Sequence, residues 1–153
     1  MNPYDHEQVQ AVWQRVRSHG DGQSLLQALE EMISSEYAAA MAYEKLSRQN
    51  PRYGRMLLAM AQDERGHAKK LTTLYSLLGE KPPKIAPAVA REHCDFACGV
   101  RRAYGEELAA AESYLEAAQK WRQHRQIFAS IAADEQRHSR NLYRIAQVQQ
   151  RGG

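Results

Sequence analysis

The sequence Glu64-Arg65-Gly66-His67 decides the fold, because its pattern returns 71 residues later as Glu135-Gln136-Arg137-His138. Each copy follows an aspartate, and each has a leucine four residues after its histidine. Residues three apart on an α-helix lie on one face, with their Cβ atoms about 5–6 Å apart. A glutamate and a histidine at this spacing can therefore bind one metal ion together.

The repeat extends beyond these two motifs. The same offset of 71 residues relates Glu36 to Glu107 and Tyr43 to Tyr114. Each half of the chain therefore reads Glu-x6-Tyr, followed by a Glu-x-x-His motif that starts 28 residues after the first glutamate. The six candidate metal ligands are Glu36, Glu64, His67, Glu107, Glu135 and His138.

Hydrophobic periodicity predicts an all-α fold with four long helices. In the second of them, core-facing residues recur at alternating steps of four and three from Tyr53 to Leu78, and Glu64 and His67 lie in this row. The predicted helices span residues 24–49, 52–78, 92–122 and 125–149. A shorter amphipathic helix is expected at 3–18, ahead of the break at Gly20-Asp21-Gly22.

The connections between the helices predict the topology. Tight turns join the first helix to the second and the third to the fourth, so each pair should form an antiparallel hairpin. The proline-rich link at 80–90 is long enough for a crossover of roughly 35–40 Å along the bundle. We expect residues 1–153 to form a single domain, with the four-helix bundle at 24–150. A dimer in which the hairpins are swapped between two chains is equally compatible with these lengths.

The negative charges on the predicted core-facing rows indicate a bound metal. Four glutamates would lie in an apolar interior, where an isolated carboxylate is very costly. No lysine or arginine lies in the predicted core-facing rows. Two divalent cations would balance four carboxylates, and two neutral imidazoles would complete the coordination.

The composition excludes several other classes of protein. The 153 residues carry a net charge of +3 without a clustered basic stripe, which disfavours nucleic acid as a partner. No apolar run reaches the length of about 20 residues that a membrane span needs, and the first residues lack a signal-peptide pattern. We therefore expect a cytoplasmic protein that binds neither nucleic acid nor membranes. Cys94 and Cys98 are expected to be free thiols, and no rubredoxin-type pair of Cys-x2-Cys motifs is present.

The ligand pattern resembles that of the ferritin-like superfamily, and within it the rubrerythrin and bacterioferritin branch. The resemblance covers the four helices, and it implies a ferritin-like four-helix bundle with one long crossover and a di-iron carboxylate site. It further implies that Glu64 and Glu135 bridge both metals. Glu36 and His67 would complete the shell of one ion, and Glu107 and His138 that of the other.

The same resemblance implies roles for residues around the ligands. Tyr43 and Tyr114 would hydrogen-bond terminal carboxylates of the opposite half. Asp63 and Asp134 would accept a hydrogen bond from the second ring nitrogen of the opposite histidine. In contrast, Glu112 lies off the core-facing row and is expected at the surface.

The resemblance implies a di-iron oxidoreductase of the rubrerythrin type. Hydrogen peroxide or oxygen would be the oxidant, and an external protein would donate the electrons to a homodimer. Manganese is the alternative to iron, and zinc would bind only adventitiously. The alternative function is that of a ferroxidase or iron-storage protein. Two departures weaken the peroxidase assignment: Ala110 replaces a further carboxylate of rubrerythrins, and no rubredoxin domain is recognised.

Overall fold

The computed structural model describes residues 24–79, 81–87 and 92–152, and in this part of the chain it contains helices but no strand. The prediction of an all-α fold with four long helices is confirmed. The helices are α1 (Leu25–Gln49), α2 (Gly54–Leu78), α3 (Phe96–Lys120) and α4 (Arg125–Arg151). The helix expected at 3–18 lies outside the described residues.

The chain divides into two compact units, with the boundary between His93 and Cys94. In the first unit α1 packs against α2, and in the second α3 packs against α4. Short connections join each pair, so each unit is an antiparallel helical hairpin. We call them the first hairpin and the second hairpin.

The repeat offset also sets where the helices begin. The first residues of α3 and α4 follow those of α1 and α2 by 71 positions each. A 3-10 turn connects the helices in both hairpins, Pro51–Tyr53 in the first and Arg122–His124 in the second. The two halves of the chain therefore fold into the same local structure.

Side-chain caps explain where α1 and α3 start. Ser24 accepts a hydrogen bond from the backbone N–H of Gln27 at 3.2 Å, and Asp95 accepts one from that of Cys98 at 2.8 Å. Each cap satisfies an N–H group that has no partner within the helix. The third helix begins at Phe96 and not at residue 92 as predicted, because the backbone of its N-cap residue, Asp95, is extended.

The core-facing rows are largely as predicted. All six apolar and ligand positions predicted for α4 are buried. In α2 the interior of the row is buried, whereas Leu78 at its end is 46% exposed. The four candidate glutamates and both histidines are buried with the apolar side chains.

The first part of the link between the hairpins lies along α1. The backbone N–H of Lys84 donates to Glu30 Oε1 at 2.9 Å, and Ser34 Oγ donates to the carbonyl oxygen of Ala86 at 3.2 Å. Glu30 Oε1 also accepts from the hydroxyl of Tyr75 on α2 at 2.8 Å. One carboxylate on α1 therefore binds both α2 and the link. None of the described helices is long and apolar enough to cross a membrane.

Candidate metal centre

The first hairpin brings three candidate ligands together. Glu64 and His67 lie one turn apart on α2, and Glu36 faces them from α1. His67 Nδ1 is 3.2 Å from Glu36 Oε2 and 3.7 Å from Glu64 Oε2. All three side chains are almost completely buried. We call this group the first triad.

The second hairpin repeats the arrangement. Glu135 and His138 lie one turn apart on α4, and Glu107 faces them from α3. His138 Nδ1 is 3.5 Å from Glu107 Oε1. These three side chains are also buried. We call this group the second triad.

The spacing of the ligand atoms within each triad fits one metal ion. The three residues of a triad can each offer one ligand atom, and these atoms lie within 4.8 Å of one another. Ligands at about 2.0–2.2 Å from a shared ion are separated by about 3.0–3.5 Å at tetrahedral or octahedral angles. The nitrogen-to-oxygen distances of 3.2 and 3.5 Å match such separations, and the 3.7 Å between His67 and Glu64 lies slightly above them.

The charge of each triad also fits a divalent cation. Two carboxylates and one neutral imidazole carry two negative charges, which one divalent ion balances. Burial of two carboxylates without such a partner would be very unfavourable. Carboxylate oxygen and imidazole nitrogen are ligands that suit iron, manganese and zinc. The donor set of each hairpin therefore fits the metal that the sequence predicts.

Arginines next to the triads bind carboxylates outside them. Arg65, which precedes His67 by two residues, donates to Glu44 Oε1 from Nη2 at 2.6 Å and from Nε at 3.1 Å. Arg137 donates to Asp134 Oδ1 at 2.7 Å. Both arginine side chains are about half exposed. These salt bridges lie on the hairpin surfaces.

The residues predicted around the ligands have different surroundings. Tyr43 and Tyr114 are completely buried in their hairpins, and the ring of Tyr114 stacks on Phe128 with centroids 6.4 Å apart. Asp134 accepts the hydrogen bond from Arg137 described above, and Asp63 is partly exposed. The hydrogen bonds predicted for these four residues reach into the opposite half of the chain and stay predictions.

Neighbouring residues complete the comparison with the sequence. Ala40 and Ala110 are buried, so small side chains surround the ligand positions. Glu112 is exposed, as expected for a residue off the core-facing row. Among the described residues, every grouping of His, Cys, Asp and Glu that could hold a metal consists of the six predicted ligands. The sequence reasoning missed Glu30, whose role is structural and whose partners lie far along the chain.

Fold and site together define a class of protein, an all-α chain of helical hairpins with buried clusters of glutamate and histidine that are compatible with a metal centre. The family model described as Rubrerythrin matches residues 27–93. This segment is less than half of the chain, but it contains the whole first triad and Tyr43. The match confirms the resemblance to rubrerythrins for the first hairpin, and this family implies a metal centre. No protein with curated annotation matches the chain.

Proposed function

We propose that this chain binds a dinuclear metal centre, most favourably of iron, and acts as a rubrerythrin-like oxidoreductase on peroxide or oxygen. The observation that carries the proposal is the pair of buried triads, each with two glutamates and one histidine. The rubrerythrin match of the first hairpin supports the same class of function.

The ligand assignment follows from the chemistry of the donors and from the repeat. Glu64 and Glu135 would bridge two ions. Glu36 and His67 would complete one coordination shell, and Glu107 and His138 the other. Because each triad carries the charge that one divalent ion balances, both ions would be held without any further charged group.

The bound pair of iron ions would supply two electrons to an oxidant, and the protein would set their coordination and limit access of water. Burial of both triads keeps bulk water away from the ligands. The small side chains of Ala40 and Ala110 favour a small oxidant over a bulky organic substrate. Tyr43 and Tyr114 would orient terminal carboxylates through their hydroxyl groups.

The other parts of the proposal rest on the sequence and the family. Electrons would come from an external donor protein, and we expect a homodimer in the cytoplasm. Manganese in place of iron would support a related centre, and zinc would be an adventitious occupant. Native mass spectrometry of the full chain tests the dimer, and a monomer or a particle of many subunits would contradict it.

The test of the function is metal analysis of the protein purified without oxygen, followed by rapid mixing of the reduced, iron-loaded protein with peroxide and with oxygen. We expect faster oxidation of the bound iron by peroxide, followed by repeated turnover when a reductant is supplied. Accumulation of a ferric mineral from added Fe(II) would instead assign the alternative function, that of a ferroxidase or iron-storage protein. Oxidation of the bound iron without repeated turnover in the presence of a reductant would exclude an enzymatic function.

A further inference from the structure

The two cysteines of the chain lie together at the start of α3, in the second hairpin and away from the second triad. Asp95 is the N-cap of this helix, so Cys94 precedes the helix and Cys98 lies in its first turn. Cys98 is nine residues before Glu107, which corresponds to about 13–14 Å along the helix axis. Neither cysteine forms a disulfide, and both are partly exposed. A small oxidant in solution can therefore reach them without entering the metal centre.

The side chains of Cys94 and Cys98 are in contact. The thiol of Cys94 hydrogen-bonds to the side chain of Cys98, and the capping hydrogen bond of 2.8 Å between Cys98 N–H and Asp95 holds the turn that brings them together. Burial, followed by this hydrogen bond, raises the pKa of Cys94, while the guanidinium of Arg102 acts in the opposite direction. Burial and the hydrogen bond therefore both favour the thiol form of Cys94.

We propose that Cys94 and Cys98 form a redox-active dithiol, which a peroxide oxidises to an intramolecular disulfide. Because burial and the hydrogen bond favour the thiol form of Cys94, Cys94 reacts second and the sulfur of Cys98 attacks the peroxide first. A sulfenic acid forms on Cys98, and one water molecule leaves. The sulfur of Cys94 then displaces the hydroxyl group, forms the S–S bond and releases a second water molecule. Two thiols thus lose two electrons and two protons, and hydrogen peroxide is reduced to two molecules of water.

The geometry favours this closure over reaction with another chain. A disulfide requires the two Cα atoms to lie within about 4.4–6.8 Å, and the capped turn at Asp95 brings Cys94, just outside the helix, next to Cys98 in its first turn. The thiol of Cys94 already contacts the side chain of Cys98, so the sulfenic acid on Cys98 reacts with Cys94 faster than with a thiol of a second molecule. The proposal does not depend on the metal-based activity, because neither thiol belongs to a triad.

The chain offers a direct readout for the test. Trypsin cleaves after Arg91 and Arg101, and the resulting peptide 92–101 contains both cysteines and no methionine. The full-length protein is reduced, exposed to excess hydrogen peroxide, treated with iodoacetamide, digested and analysed by mass spectrometry. We expect peptide 92–101 without alkylation and lighter by two hydrogen atoms, and dithiothreitol should restore two alkylatable thiols.

Single substitutions provide the matched controls. In Cys94→Ser and in Cys98→Ser, the peptide should keep one cysteine that is either alkylated or oxidised to an oxyacid. A loss of two hydrogen atoms in either variant would overturn the proposal, since that bond would not join the two sulfurs. Two alkylated cysteines in the wild type after peroxide, oxyacids on both, or peptides linked between chains would overturn it as well.

Discussion

Replacement of Glu64 by glutamine should change stability in opposite directions in the metal-free and the metal-loaded protein. Glu64 is fully buried, and its ligand oxygen lies within 4.8 Å of that of Glu36. Two carboxylates at this separation repel each other by about 3 kcal/mol at an effective dielectric constant of 20. His67 contacts both carboxylates and offsets part of this repulsion. Glu64→Gln should therefore stabilise the metal-free protein by about 1–3 kcal/mol.

The metal reverses the effect. A ligand present at about 1,000 times its dissociation constant stabilises the folded state by about 4.1 kcal/mol, which exceeds the gain of about 1–3 kcal/mol expected without metal. Glu64→Gln removes a ligand with its charge and should lose most of this stabilisation. The variant should therefore melt higher than the wild type without metal and lower than the wild type with Fe(II), when both are followed by circular dichroism under anaerobic conditions.

Glu112→Gln is the matched control, because Glu112 is an exposed glutamate on α3. It should leave melting unchanged within about 0.5 kcal/mol in both conditions, as surface substitutions usually do. The reasoning would be refuted if Glu64→Gln destabilised the metal-free protein, or if Fe(II) stabilised that variant as much as the wild type.

Three further predictions concern the helices and the link. Gly66 and Gly105 lie inside helices, and nothing lies within 4 Å of a Cβ atom added at either position. Gly66→Ala and Gly105→Ala should therefore each raise the free energy of unfolding by about 0.5–1 kcal/mol, as measured by chemical denaturation. A loss of stability would contradict this, since it would mean that the added methyl group meets a neighbouring atom. Glu30→Ala removes the bond to the N–H of Lys84, so trypsin should cut after Lys84 about fivefold faster, whereas Glu31→Ala should leave the cleavage rate unchanged. The hydrogen bond to Glu30 raises the pKa of Tyr75, with burial and the charge of Glu30 acting in the same direction. The stability from this bond should therefore be present below the ordinary tyrosine pKa and be lost as the pH rises through the raised value. Ultraviolet titration should show a late-ionising tyrosine, and Glu30→Ala should lower the pKa of that tyrosine.

The burial of the four glutamates and two histidines and the helical hairpins could be predicted from the sequence because both depend on local spacing. Glu64 and His67 are three residues apart, and the rhythm of the surrounding apolar residues places them on the buried side of α2. The repeat then identifies Glu135 and His138 without further information. Periodicity decides which side of a helix is buried whatever lies opposite it.

Features that depend on contacts far apart in the chain could not be predicted in this way. Glu30 binds a backbone N–H 54 residues away, and no local pattern marks it. The predicted start of α3 at residue 92 is too early: His93 and Cys94 are compatible with a helix, but the capping side chain of Asp95 favours a start just after Asp95. The pairing of Arg65 with Glu44 likewise depends on how α1 and α2 meet.

The central claim is that buried glutamates are tolerated because divalent ions balance them, one for each triad. Anaerobic titration of the metal-free full chain with Fe(II), followed by removal of unbound metal and iron analysis, measures this directly. The account predicts two ions per chain for the wild type and a marked loss of bound iron for Glu64→Ala and Glu135→Ala. A wild-type chain that keeps no iron, or variants that keep as much as the wild type, would contradict it.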